Sequence, residues 1–500
     1  MKLLAIFADV VIEHFRSRMV YLYLALTVLA VGPLIGSDSG TRDITKTGDW
    51  FPVLAQASAS QIEQRWEKLA QNSEAPAPVL EFAWPPAEPL PLPVEKRLVQ
   101  LDLGGGIPLY IMEMPEAETA GILLLALGGT CDEQESEWGA ADLAAALMNA
   151  AVKEHPDEFP LLSNPVHAAL QQWEMSVECL PERFAMAVES LAKLALQPPV
   201  DPAAFPDTVS RQQRALDKQT SDPESRALAA VRANLMPGLR ITADSQLIRH
   251  NIGRLDQSEL RTWLERFLAP GRLTVVAAGP FDAEAAAAVL RRYLGPLASR
   301  PWNPPPQWPP AAAAAAAAVN VESSLFDDAA AAGAVAITPS AGNKIDPRIR
   351  QLVDLLDVDV QLPLRDEGLI YGGYLYGPYR VGQGFAWEYS FTSETRKIQL
   401  IRAELQRWTK RFPADWPDSI ISALPLRAER KARAAGTQPG GTCRYIADNY
   451  LQWNELPISP DAAADQWAAC SMADIRVILT AGGAQRVTAT AVAKPKEGRK

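Results

Sequence analysis

I-L-L-L-A-L-G-G-T (residues 122–130) and W-G-A-A-D-L-A-A-A-L-M-N-A-A (residues 138–151) decide how this chain is read. The first run is a short apolar stretch closed by two glycines, the pattern of a buried strand ending in a turn. Alanine loses no side-chain entropy on entering a helix, so the second run reads as a helix. That helix carries almost no chemistry. Asp142 and Asn149 are its polar side chains, apart from the Trp138 indole. Its blankness is the main functional clue.

Working outward, L-V-Q-L-D-L-G-G-G-I-P-L-Y-I-M (98–112) reads as strand, glycine turn, strand. Residues 168–180 alternate well enough in their second part for another strand. A helix over 181–196 places Phe184, Val188, Leu191, Leu194 and Ala195 on one face. Residues 203–234 are helical, 260–268 form a further helix, 273–278 a buried strand ending at Gly279, and 283–294 a closing helix. P-W-N-P-P-P-Q-W-P-P (301–310), followed by eight alanines to Ala318, is a linker. The pattern then restarts. A strand at 334–338 precedes a helix at 347–357, a Gly/Tyr-rich stretch at 368–379 and a strand at 385–392. A helix over 394–412 follows, with Ile398, Ile401, Leu405 and Trp408 on one face. Two α+β halves of similar size and order imply a duplicated fold.

Five hundred residues exceed one core, so several domains are expected. An apolar fraction of 48% is that of a globular protein, and a net charge of −11 opposes a nucleic-acid partner. Residues 19–36 carry no charge and would form a helix about 27 Å long, enough to cross a hydrocarbon core. Lys2, Arg16 and Arg18 precede them and Asp38 follows, which places residues 1–18 in the cytoplasm and the bulk outside. No small-x-small cleavage site follows, so the segment reads as an uncleaved signal-anchor in the inner membrane, with the bulk of the chain in the periplasm. Residues 37–96 form a tether. It holds a short amphipathic helix at 58–71 (Ile62, Trp66, Leu69) and a proline-dense, extended stretch at 75–93. The first globular half is assigned to 97–298, the linker to 299–320, the second half to 321–490, and a basic tail to 491–500.

The four cysteines, Cys131, Cys179, Cys443 and Cys470, form no C-x-x-C pair, which argues against a zinc knuckle. Two lie in each half, so either one disulfide closes in each or all four are buried thiols. The histidines are His14, His155, His167 and His250, and no two have metal-ligand spacing. The E-H-P-D-E run at 154–158 has a proline inside it and reads as a solvated loop. There is no G-x-S-x-G, no P-loop and no Cys–His pair, and no cofactor is implied.

Several segments in order resemble the insulinase/pitrilysin-type zinc peptidases and the subunits of mitochondrial processing peptidase. The opening strand pair at 101–112 is one. S-D-P-E-S-R-A-L-A, M-P-G and I-G-R-L-D, between Ser221 and Asp256, follow in the family's order. L-E-R-F-L-A-P-G-R-L-T-V-V-A-A-G-P-F-D (264–282) matches the close of its first half, and P-L-R-D-E-G-L-I-Y (363–371) is similar to its L-R-E-x-x-G-x-x-Y signature. The resemblance implies two homologous α/β halves, mixed sheets covered by helices, forming a clamshell behind an N-terminal transmembrane helix.

In that family zinc sits on an H-x-x-E-H helix, the two histidines binding metal and the glutamate activating water. The helix falls here at Gly139-Ala140-Ala141. Asp142 then replaces the first histidine, Ala145 the glutamate and Ala146 the second histidine, while the distant ligand falls near Asp217. A catalytic zinc site wants three protein ligands and water, so the resemblance implies a degenerate site. Arg365 and Tyr371 stand where the family contacts the substrate backbone, often from a non-catalytic partner subunit. Their alternative is an ordinary ion pair and a tyrosine packed under a hairpin. Tyr374, Tyr376 and Tyr379 form either a peptide or partner surface or a hairpin's packed face.

The expectation is thus a catalytically inactive, membrane-anchored subunit that pairs with a catalytic zinc peptidase homologue and helps to bind an extended peptide or unfolded polypeptide. The alternatives are a non-enzymatic scaffold in an envelope assembly and a peptidase with a relocated site.

Overall fold

A computed structural model of the chain describes residues 90–198, 204–235, 245–310, 319–326, 328–339, 345–355, 357–411, 417–480 and 485–496. All lie in one compact unit, Pro86–Lys500. The membrane segment expected at 19–36, the helix at 58–71 and the alanine run at 311–318 lie outside the described residues. Among the described residues no helix is long and apolar enough to cross a membrane.

The first half opens with β1 (Arg97–Gly104) and β2 (Ile107–Glu113), paired antiparallel. Gly104, Gly105 and Gly106 turn between them at positive φ, which the L-D-L-G-G-G-I run anticipates. The chain continues through β3 (Ala120–Leu127), α1 (Ala140–Glu154), β4 (Val166–Ala168), β5 (Gln172–Cys179), α2 (Phe184–Leu196) and α3 (Phe205–Ser221). Next come α4 (Pro223–Leu235), α5 (Ser245–Ile252), α6 (Gln257–Phe267), β6 (Leu273–Gly279) and α7 (Ala283–Leu294). The single helical region expected at 203–234 is two helices. Asp222 ends the first with extended backbone and its carboxylate accepts from Ser225 N at 2.9 Å, while Pro223 fixes φ for the start of the second.

The second half contains β7 (Val319–Ser323), β8 (Ala329–Thr338), α8 (Ile349–Asp354), α9 (Asp357–Asp366), β9 (Gly372–Val381), β10 (Gly384–Ser393) and α10 (Ile398–Arg411). α11 (Asp418–Ile421), α12 (Leu424–Ala435), α13 (Pro439–Asn449), α14 (Pro460–Ala468), α15 (Met472–Thr480) and β11 (Gln485–Pro495) complete it. Strand β8 begins at Ala329, five residues before the expected start. Its alanines have low strand propensity, yet all are buried in the sheet.

The duplication is written in the strand order. The first sheet runs β1-β2-β6-β3-β5-β4 and the second β7-β11-β8-β10-β9. β2 pairs β6 in parallel as β7 pairs β11, and every other neighbouring pair is antiparallel in both. Among the described residues, only β1 lacks a counterpart.

One face of the first sheet packs under α1, α2, α6 and α7 through Leu143, Val188, Phe267 and Leu290. Its other face, carrying Tyr110, Met112, Leu123 and Leu125, is covered by Cys443, Ile446 and Ala447 of α13, a helix of the second half. Reciprocally, the alanine face of β8 and β11 is covered by Ala227, Leu228, Val231 and Leu235 of α4, a helix of the first half. Small side chains on β8 let α4 lie close. The halves are therefore interlocked by exchanged helices, and the clamshell expected from the sequence finds no support within this unit.

Candidate functional site

The helix that opens the sequence argument begins where expected. Gly139 precedes it at φ +103°, and a Cβ there would stand 2.2 Å from Ile252 Cγ1, so only glycine fits. The first turn is capped by a residue the sequence did not flag. Glu133, 6% exposed, accepts from Gly139 N at 2.9 Å and Ala141 N at 2.6 Å, placing a carboxylate against the positive end of the helix.

Asp142 and Ala146 are half-buried on α1 and Ala145 is buried. α3 lies against α1, so the fold does bring the helix of Asp217 beside the degenerate positions. Asp217 itself pairs with Arg249 of α5, its Oδ1 3.0 Å from Arg249 Nε. Two alanines offer no lone pairs, and the Asp217 carboxylate is engaged by a guanidinium. This set does not fit the zinc site that the resemblance implies. Among the described residues no group of three His, Cys, Asp or Glu side chains is placed to hold a metal ion. One turn further on, Asn149 binds the edge of β4 twice: its Nδ2 donates to Val166 O at 2.7 Å and its Oδ1 accepts from Val166 N at 3.0 Å.

None of the four cysteines is in a disulfide. Burial pushes the Cys179 thiol up to about 12 and raises Cys443 further, so neither is a nucleophile at neutral pH.

In the second half, Arg365 lies in the last turn of α9 and Tyr371 just before β9. The L-R-D-E-G-L run between them is a helix cap. Gly368, at φ +64°, donates its N–H to Arg365 O at 3.0 Å, and Leu369 N donates to Leu364 O at 2.8 Å, a Schellman motif. Leu364 and Leu369 pack in the same apolar cluster. The glycine of the signature is thus a backbone requirement. The Arg365 side chain is exposed and, among the described residues, makes no hydrogen bond or ion pair. Tyr371 is 58% exposed, and its N–H donates to Thr392 O at 3.0 Å. The tyrosines beyond it divide. Tyr374 is exposed, whereas Tyr376 turns inward and donates to Glu224 of α4 at 3.2 Å. Tyr379 sits beside the buried Arg232–Glu388 pair, and burial raises its hydroxyl well above the ordinary tyrosine value. The patch is therefore a packed junction at Tyr376 and Tyr379 and a surface at Tyr371 and Tyr374.

The junction also holds an open pocket of about 490 Å³ between the turn before β5, α8, β9, α12 and α13. Burial pushes the Asp448 carboxyl in its wall up to about 6, the neighbouring Glu174 adding to the effect.

Residues 254–418 match the family described as the peptidase M16 inactive domain. No curated protein matches the chain. Among solved structures, a protease from Helicobacter pylori is 10% identical with a TM-score of 0.65, covering 80% of this chain and 100% of its own. A peptidase M16 inactive domain from Pseudomonas fluorescens is 14% identical with a TM-score of 0.61, covering 81% of this chain and 99% of its own. The ferredoxin protease FusC, solved as an E83A mutant in complex with Arabidopsis ferredoxin, is 16% identical with a TM-score of 0.59. It covers 88% of this chain, which spans 51% of that protease. The likeness to these structures is one of fold, and the insulinase-type resemblance read from the sequence is borne out.

Proposed function

We propose, for a chain that carries an M16 inactive domain over residues 254–418 on an M16-like fold, a non-catalytic subunit that pairs with a catalytic zinc peptidase homologue. One observation carries the reading: the helix where such a peptidase keeps its metal ligands presents Asp142, Ala145 and Ala146, and its distant position, Asp217, is engaged by Arg249. In this reading the clamshell forms between two chains. Exposed Arg365 and Tyr371 hold an extended peptide or unfolded polypeptide by its backbone while the partner cuts. Residues 19–36 anchor the subunit in the inner membrane, with the fold in the periplasm.

Affinity capture of the full chain from membranes tests the pairing, with a metal-dependent peptidase homologue as the expected partner. Arg365→Ala is expected to lower cleavage by the pair without loss of assembly. A pair that assembles and is indifferent to Arg365→Ala and Tyr371→Ala would favour the scaffold reading. If this chain alone bound stoichiometric zinc and cleaved unfolded peptide, the non-catalytic assignment would be wrong.

A further inference from the structure

Two arginines of the second half share one carboxylate. Arg350, on α8 and only 6% exposed, donates to Glu455 Oε2 at 2.6 Å and to Pro347 O at 2.9 Å. Its guanidinium carbon lies 4.2 Å from the centre of the Trp453 ring. Arg380, half-buried near the end of β9, makes one long side-chain bond, to Gln452 O at 3.4 Å, and no ion pair among the described residues. Burial lowers both guanidiniums and Glu455 opposes that at each, while Arg380 lowers Arg350 further. A guanidinium has five N–H donors, and taking them out of water for a single long bond is costly.

Both arginines and Glu455 line a pocket of about 350 Å³, where the turn between β9 and β10 meets the residues before α8 and those after α13. Among the described lining residues these three are the charged ones, and they leave one positive charge in excess. Ile345, Pro347, Phe385 and Trp453 give the wall an apolar part. Arg350 and Trp453 also line the larger pocket beside Asp448, but its other cations are matched, Arg444 by Glu174 and Lys431 by Asp354. Arg380 lines the smaller pocket and not the larger.

We propose that this pocket binds a small organic monocarboxylate, held by the guanidinium N–H groups of Arg380, with Arg350 adding its charge and the apolar wall taking the organic body. A planar guanidinium fork matches the two oxygens of a carboxylate. One negative charge balances the excess, whereas inorganic phosphate overshoots it and leaves the apolar wall uncovered. The volume lies at the lower end of small-molecule sites, which suits a single ring and a short acid arm. The site is independent of the peptide-holding role of Arg365 and Tyr371, which do not line it.

The test uses the full chain and 3-phenylpropionate, with titration calorimetry and ligand-observed magnetic resonance as readouts. Saturable binding at one site is expected, with 3-phenylpropionamide, neutral and of the same shape, at least about tenfold weaker. N-acetyl-glycyl-phenylalanine separates the two sources of a carboxylate: binding tighter than phenylpropionate assigns the site to a chain end, weaker binding to a free acid. Arg380→Met keeps the stem and is expected to weaken phenylpropionate binding about tenfold or more. Glu455→Gln removes the competing carboxylate and is expected to tighten it by about threefold. Absence of saturation up to about 10 mM, equal binding of the amide, or tighter binding of inorganic phosphate overturns the proposal. So does an undiminished affinity in a folded Arg380→Met protein. Should that variant not fold, the comparison of acid and amide on the wild-type chain decides alone.

Discussion

Glu388, on β10 with no exposed surface, is held across the junction by Arg232 of α4, whose Nε lies 3.0 and 2.8 Å from its two carboxylate oxygens. Burial raises the Glu388 carboxyl and the guanidinium opposes that rise. Removing one partner of a buried pair leaves the other charge desolvated, at about 3–5 kcal/mol. Arg232→Ala is therefore expected to lower unfolding free energy by about that amount in urea titration. The double substitution Arg232→Met with Glu388→Leu should recover most of the loss. A single substitution that behaves like a surface change would show that this contact does not tie the halves together.

The duplicated topology repeats the device. Glu174 on β5, 1% exposed at its side chain, accepts from Arg444 of α13 at 2.8 Å, and β5 occupies in the first sheet the place β10 holds in the second. Arg444 is half-exposed where Arg232 is mostly buried. Water can reach Glu174 once the guanidinium is gone, so Arg444→Ala should cost less than Arg232→Ala, about 1–2 kcal/mol. The order of the two losses, measured under one condition, is the check.

Two glycines separate steric from conformational need. At Gly121 of β3 a Cβ would meet Gly440 N at 2.8 Å and Pro439 C at 2.9 Å, because α13 lies directly on the strand. Gly121→Ala must push the helix away and is expected to cost about 1–3 kcal/mol. At Gly368 nothing lies within 4 Å of a Cβ, and only the φ of +64° resists alanine. Gly368→Ala is expected to cost about 1 kcal/mol, and Gly368→Asn less, since asparagine tolerates this region. Thermal unfolding of the three variants tests both arguments.

A pH dependence follows from Asp448. Its carboxyl rises from 3.8 to about 6 in the folded chain, chiefly through burial. The folded state then holds the proton more tightly than the unfolded one. This contribution to stability is fully present below about pH 3.8 and is lost as pH climbs through about 6, a change of about 3 kcal/mol. Asp448→Asn removes the ionisation. It should be more stable than wild type at about pH 8 and lose that advantage by about pH 4. Urea midpoints of both proteins across this range decide, and a constant difference would place the carboxylate in water.

Much of the fold was legible because periodicity and glycine turns reported it. Most strands and helices from β1 to α7 fall close to their expected positions, since apolar runs such as 122–127 and 273–278 have no other use in a globular chain, but β4 and α5 were not expected and 203–234 divides into two helices. The start of β8 was hidden by its alanines, whose strand role depends on α4 packing against them from another half. The helix Asp357–Asp366 was not expected, and Gly368 of the signature turns out to serve the cap that ends it after Arg365. The helix that carries Asp142, Ala145 and Ala146 was legible from its alanines, while the zinc-site reading of those positions rests on the resemblance. The cap at Glu133 and the raised carboxyl of Asp448 were not legible, because both arise from how the side chains are packed and not from residue identity.

The last expectation concerns two side-chain amides that imitate strands. Gln171 donates from Nε2 to Arg380 O at 2.7 Å and accepts from Arg380 N, closing the outer edge of β9 as Asn149 closes β4 at Val166. Each amide satisfies a backbone donor and acceptor that would otherwise invite another strand. Gln171→Leu keeps the bulk and removes both bonds, leaving part-buried backbone groups unmet, at about 1–3 kcal/mol. Gln171→Glu keeps the acceptor alone and should fall between the two. Native-state hydrogen exchange gives a local readout, with faster exchange of the Arg380 amide expected in Gln171→Leu while amides of β3 and β6 keep their protection. Unchanged exchange at Arg380 would mean that the edge of β9 is closed by something other than this amide.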